Sequence, residues 1–158
     1  RKITNTIREL LGLQKDFMFP IVEFIEFVMP QIDNEFKLEI CSEKEMGNQH
    51  GLTYPEKSLI ILREDVYENA IQGNGRDRLT IAHEVGHYFL HRPQSIALAK
   101  VSPGERIITY CDPEWQANAF AGELLVPYKL VKGLTPEQVS ELCGVSYTAA
   151  KYQLSKYK

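Results

Sequence analysis

The stretch RLTIAHEVGHYFLH, residues 78–91, holds three of the chain's four histidines at spacings of four. An α-helix advances about 100° per residue, so His83, His87 and His91 fall in one line along a helix face. Ile81, Ala82, Val85, Phe89 and Leu90 give the same segment an apolar stripe, which predicts a helix packed into a core. Two neutral imidazoles one turn apart can share a zinc ion, and the carboxylate that follows the first, Glu84, can reach a water held there. The spacing H-E-x-x-H formed by His83, Glu84 and His87 therefore points to metal-assisted hydrolysis. In that chemistry Glu84 takes a proton from the attacking water and delivers it to the leaving amine, while the two histidines move none.

A chain of 158 residues, 44% hydrophobic and 25% charged, can build one globular domain with its own core. Disorder is excluded on that composition. The formal net charge of −3 gives no general support for a binder of nucleic acid or anionic membrane. Cys41, Cys111 and Cys143 lack C-x-x-C spacing and cannot pair fully within the chain, which places the protein in a reducing, cytoplasmic compartment. The most apolar stretch, FMFPIVEFIEFVMP, is broken by Glu23 and Glu26 and is too short to span a bilayer. No secretory signal is visible, and the chain opens on Arg1 rather than Met.

The fold class predicted from the order of elements is α+β, a small sheet packed with helices. A helix is expected from Pro20 to about Met29, ended by Pro30. EFKLEIC alternates as a strand with one buried face, and GLTYPEKSLIILRE reads as two short strands joined by a turn at Pro55 to Lys57. Ser58 to Arg63 is a candidate sheet edge for an extended substrate, although its run of Leu59, Ile60, Ile61 and Leu62 equally fits a central strand. A short helix follows from Arg63 to Ala70, and QGNGRD reads as a loop leading to the histidine helix.

A second informative segment is CDPEWQANAFAGELLVP. Asp112 can cap a helix with Pro113 and Glu114 in its first turn, and Pro127 closes it. Small residues at Ala117 and Ala121 allow a close helix contact, and Glu114 points toward it. A catalytic zinc site takes three protein ligands and leaves one position for water, which makes Glu114 the natural third ligand. Asp112, Glu105, Glu123 and Cys111 lie nearby as alternatives.

The two blocks together, R-x-T-x-A-H-E-x-G-H-x-x-x-H and E-x-x-A-N-x-F-A-x-x-L-L-x-P, resemble the ImmA/IrrE family of bacterial and phage metallo-endopeptidases. They cover about a third of the chain. The resemblance implies a zincin-like core, one zinc ion per chain on His83, His87 and Glu114, and Glu84 as the catalytic carboxylate. It further implies a protein substrate, a helix-turn-helix transcriptional repressor or antitoxin whose limited cleavage relieves repression.

Support for the ligands and for the oxyanion is less determined by sequence. Each ligating histidine needs its second ring nitrogen held by a carbonyl or carboxylate. His91, Tyr110, Arg78 and Tyr88 are the possible second-shell or oxyanion residues. His91 lies too far along the helix to join Glu114 on one ion and is read as a supporting residue. Gly86 inside a helix implies a close backbone contact, Arg76 to Arg78 read as a solvated helix start ordering the entrance to the site, and His50 reads as an ordinary loop residue.

Residues 1–127 are read as the peptidase core and residues 128–158 as a helical extension packed on the same domain. LTPEQVSELCGVSYTAAKYQLSKY shows a capping box at Thr135 to Gln138, a turn at Gly144 and a second helix capped by Ser146, the outline of a helix-turn-helix. From Tyr128 onward five lysines face two glutamates, a balance compatible with phosphate contact. The tail has no arginine to read guanine edges, so a packing or substrate-docking pair is preferred to DNA binding. A partner-binding regulator that keeps the fold without catalysis is the alternative to the enzyme.

Overall fold

A mixed sheet forms the floor on which the histidine helix lies. Strand β1 (Lys37–Cys41) runs parallel to β3 (Leu59–Arg63), and β2 (Gly51–Tyr54) pairs antiparallel with β3, giving the order β1-β3-β2. The structure is a computed structural model describing residues 1–92 and 111–157, and it is α+β. The expected turn is present: Pro55–Lys57 forms one 3-10 turn, and Ser58 completes the reversal in the left-handed region with φ 51°. A short helix, α4 (Glu43–Met46), links β1 to β2 and is closed by a reciprocal Ser42–Glu45 capping box.

The central position of β3 overturns the reading of Ser58 to Arg63 as a sheet edge. Ile60 and Leu62 are fully buried, and β3 has a hydrogen-bonded neighbour on each side. A continuous apolar run belongs under such cover. The edges are β1 and β2. In β1 the alternation is imperfect, because Ile40 is exposed while Phe36, just before the strand, is buried.

On the N-terminal side, α1 (Lys2–Leu10) is followed by α2 (Ile21–Glu23), a π-helical turn (Phe24–Val28) and α3 (Met29–Ile32). The helical path thus passes Pro30 instead of stopping there. The Met29 N–H reaches back five residues to the Phe24 carbonyl, so Pro30 falls in a fresh first turn where its missing N–H costs nothing. Residues before Phe17 carry no motif, yet Arg8 of α1 is buried and donates to the Leu124 carbonyl at 2.9 Å and the Asp16 carbonyl at 2.7 Å.

After α5 (Glu64–Ile71) comes α6 (Gly75–Leu90), which carries His83 and His87 and has His91 as its C-cap. It begins inside the segment read as a loop. Asn74 is the N-cap, its side chain accepting from the Arg76 N–H at 3.0 Å and the Asp77 N–H at 3.2 Å. Asp77 and Arg78 are buried, not solvated. Helix α7 (Pro113–Leu125) starts at Asp112, which accepts from the Glu114 N–H at 2.9 Å as its sequence predicts. The two helices cross at Gly86, where a Cβ would stand 3.1 Å from both Cα and O of Ala117. A side chain there would have to push the Ala117 backbone back by a few tenths of an ångström, so glycine suits the crossing.

Three further helices complete the chain: α8 (Tyr128–Val131), α9 (Pro136–Cys143) and α10 (Tyr147–Ser155). The Thr135–Gln138 capping box and the Ser146 cap are both formed. Val139, Cys143, Val145 and Ala150 bury their side chains in the same core as Leu124, Leu125 and Ile81. Among the described residues, no helix is long and apolar enough to cross a membrane.

Candidate metal centre

Helix periodicity brings His83 and His87 to one line on α6, and the Gly86 crossing brings the first turn of α7 over them. The Nε2 atoms of the two histidines lie 2.9 Å apart, and the Glu114 carboxylate lies 3.3 Å from His83 Nε2 and 3.2 Å from His87 Nε2. All three donor atoms fall within 4.8 Å of one another. A tetrahedral ion with bonds of about 2.0–2.1 Å sets its ligand atoms roughly 3.3 Å apart. Of the acids and sulfurs near the second block, Glu114 is the one grouped with the histidines among the described residues; Glu105 lies outside them.

The hydrogen bonds behind the rings decide their tautomers. His83 Nδ1 lies 3.0 Å from Asn118 Oδ1, an acceptor, so Nδ1 carries the proton and Nε2 keeps its lone pair. His91 Nε2 lies 2.9 Å from Gln116 Oε1, and its other nitrogen, Nδ1, lies 2.9 Å from His87 Nδ1. His91 therefore donates to Gln116 and accepts from His87, which leaves His87 Nε2 bare. Two lone pairs and a carboxylate then converge without a proton between them. Such a set repels itself unless a cation sits among its members, which is the physical argument for metal at this point. Burial, and then the neighbouring His83, pushes the His87 pKa down to about 4, so His87 stays neutral and available as a ligand at pH 7.

Glu84 is buried beneath this group. The Thr53 hydroxyl of β2 lies 2.6 Å from its Oε2 and 3.1 Å from its main-chain carbonyl. A Cβ on Gly51 would stand 2.7 Å from Glu84 Cγ, so the bare backbone of the edge strand makes room for this side chain. Burial raises the Glu84 pKa, with the Thr53 hydrogen bond opposing it and the charges of His83 and Glu114 both felt at the carboxylate. The arrangement holds a strengthened base beside the place where the three ligand atoms meet.

The remaining sequence candidates fall elsewhere. Arg78 points away from the site: its Nε donates to the Gly144 carbonyl at 2.9 Å and its Nη2 to the Phe19 carbonyl at 2.8 Å. Tyr88 is buried on the opposite face of α6, where its hydroxyl donates to Asp33 and neighbours Arg92. Neither is placed to meet an oxyanion, because residues 78 and 88 sit off the His83–His87 line by helix geometry. Tyr110 lies outside the described residues. Sequence reasoning missed Asn118, Gln116, Thr53 and Gly51. Asn118 alone left a signal, standing one turn beyond Glu114 on the face of α7 that meets His83.

A helix-borne pair of histidines, a glutamate from a second helix that converges on them and a buried carboxylate between that group and the sheet are the parts a metallopeptidase needs. The chain belongs to peptidase family M78, whose IrrE N-terminal-like domain matches residues 34–155. It is similar to Metallopeptidase ImmA of Bacillus subtilis (strain 168), 27% identical over 132 residues, which cover 75% of this chain and 74% of that one. No solved structure matches it.

Proposed function

We propose that the protein is a zinc-dependent cytoplasmic endopeptidase that makes limited cuts in a helix-turn-helix transcriptional repressor or antitoxin, relieving repression. The observation that carries the peptidase reading is the convergence of His83 Nε2, His87 Nε2 and the Glu114 carboxylate above Glu84. The substrate class rests on the resemblance of the two sequence blocks to the ImmA/IrrE family. Zinc suits two imidazoles and one carboxylate, and when bound it supplies Lewis-acid polarisation of a peptide carbonyl and a more acidic water.

The chain's own residues do the rest. Thr53 occupies Glu84 Oε2, so Oε1 accepts the proton of the attacking water and later delivers it to the leaving amine. The raised Glu84 pKa makes that transfer more favourable. Strand β2 is paired on one side only, by β3, and its other edge lies free among the described residues. An extended substrate can add there by main-chain hydrogen bonds, close to Glu84.

Replacement of Glu84 by Gln tests the reading. Gln keeps the volume and the helix propensity while losing the proton acceptor. The variant should retain metal, hydrolyse at least ~10²–10⁴-fold more slowly, and hold its repressor partner uncut in a pull-down. Equal processing by the variant and the parent would instead leave a regulator that binds its partner without Glu84-dependent chemistry.

A further inference from the structure

A cavity of about 470 Å³ opens between α8, the link from α8 to α9, and α10. Val131, Leu134, Leu154 and Tyr157 line its interior, and the exposed Lys132 and Lys151 stand at its rim. We propose that this cavity binds a small aromatic anion, with the ring inward and the negative group at the two lysines. The site is separate from the metal centre and independent of the peptidase reading. Lys151, Leu154 and Ser155 share one face of α10, whereas Lys156 lies off it, with its ammonium 5.9 Å from the ring centroid of Trp115, the residue after Glu114. Helix α10 thus shows one face to the first turn of α7 and another to the cavity.

The walls suit a ring. Tyr128 and Tyr157 meet edge to face with centroids 5.1 Å apart, an arrangement that a third aromatic group can extend. The Tyr157 hydroxyl donates to the Val126 carbonyl at 2.6 Å and accepts from Gln153 Nε2 at 2.7 Å, so it is engaged within the protein and the ring is a fixed wall. Val131 is fully buried, and Leu134 and Leu154 pack against the core. The volume falls within the ~300–1,000 Å³ of small-molecule sites. Charge fixes the sign of the occupant. Neither Lys132 nor Lys151 has an ion-pair or hydrogen-bond partner among the described residues, and no carboxylate lines the cavity. Glu123, whose charge is felt at Tyr157, is already paired with Arg1 at 2.7 Å. An anion therefore meets two cations and no competing acid, although the whole chain carries a net charge of −3. Ammonium groups act as hydrated point charges, so they ask for negative charge rather than for one headgroup geometry.

The probes are β-naphthoate and its neutral analogue of similar shape, β-naphthamide, titrated into the full chain and followed by backbone amide chemical shifts. The naphthoate should bind saturably and about 5-fold or more tightly than the naphthamide, a margin open to two exposed ion pairs. Its shifts should gather at residues 131–134 and 151–157, and its affinity should fall as salt is raised. Lys132→Gln combined with Lys151→Gln should bring the naphthoate down to the level of the naphthamide and leave the naphthamide unchanged. Lys129→Gln, at an equally exposed lysine outside the cavity, should alter neither. Ser155→Trp, which adds an indole to the cavity wall from an exposed position, should abolish binding of both. Absence of saturable naphthoate binding, equal affinities for the two probes, or shifts centred elsewhere would overturn the assignment. So would a parent chain that sediments as a dimer beside a monomeric Ser155→Trp chain, since a second copy would then be the occupant.

Discussion

The Nδ1 atom of His91 stands 2.9 Å from the Nδ1 atom of His87, and the pair forms one relay from Gln116 to the ligand nitrogen. On a metal held by His87, His91 would act through that ring without touching the ion. Removing an outer partner of a ligating histidine typically costs about 10–100-fold in metal affinity. His91→Ala should weaken zinc binding by that factor in a chelator competition while leaving far-UV circular dichroism unchanged. Affinity equal to the parent's would remove His91 from any supporting role.

Glu114→Gln makes the corresponding prediction for the proposed third ligand. A neutral amide is a poorer ligand for a divalent ion than a carboxylate. The purified variant should carry clearly less than the one metal ion per chain expected of the parent, as read by elemental analysis. Full metal occupancy in the variant would transfer the ligand role to another group.

The pH dependence of the metal-free protein follows from His87. Burial lowers its folded pKa to about 4, against about 6.5 in an unfolded chain. Between those values the unfolded state binds a proton that the folded state refuses, so stability falls as pH drops from about 6.5 toward 4. Asp33 has linkage of the same sign, displaced to lower pH. Hydrogen bonds from Tyr88 and Arg92 hold its pKa below the ordinary range, so its contribution is present above about pH 3.9 and is lost only in stronger acid. Thermal melts with chelator should show the first loss disappear in His87→Gln and the second persist.

Gly86→Val tests the helix crossing. The added branches would press on the Ala117 backbone, 3.1 Å from the position of a Cβ. Overpacking of this kind costs about 1–3 kcal/mol. The displaced α7 would also carry Glu114 away from the histidines, so melting temperature and zinc affinity should fall together. A loss of stability with full zinc affinity would show that Glu114 does not depend on this contact.

Thr53→Val should separate the hydrogen bond to Glu84 from the packing of β2. The methyl groups preserve the shape but leave Glu84 Oε2 without its donor, so kcat should fall while KM and metal content stay near the parent's. Thr53→Ser should restore most of the rate. Equal loss in both variants would point to strand packing instead.

The parts of the site written within one helix were legible in advance. His83, Glu84 and His87 declare their chemistry by spacing, and Asp112, Thr135 and Ser146 declare helix starts because a cap acts on atoms two or three residues away. What could not be read depends on which face meets which neighbour. Arg78 and Tyr88 are chemically suited to an oxyanion, and only the packing of α6 against Phe19, Gly144 and Asp33 shows them committed elsewhere. The apolar run of β3 fitted both an edge and a centre until β1 was found paired beside it. Thr53 and Gly51 carry no motif, since their relation to Glu84 is created by a strand lying across a helix.

The guanidinium of Arg78 joins the approach to α2, the middle of the chain and the turn between α9 and α10, through Phe19, its own helix and Gly144. A guanidinium cannot shed its charge to suit a drier setting. Peeling the last two helices away would leave a cation in the interior with one of its acceptors gone, a state costly enough to be scarcely populated. Heat should therefore take the molecule apart in a single calorimetric transition, with no separate melting of its C-terminal end. Trimming the chain before Pro136 would then undo the histidine helix itself, far along the sequence from the cut.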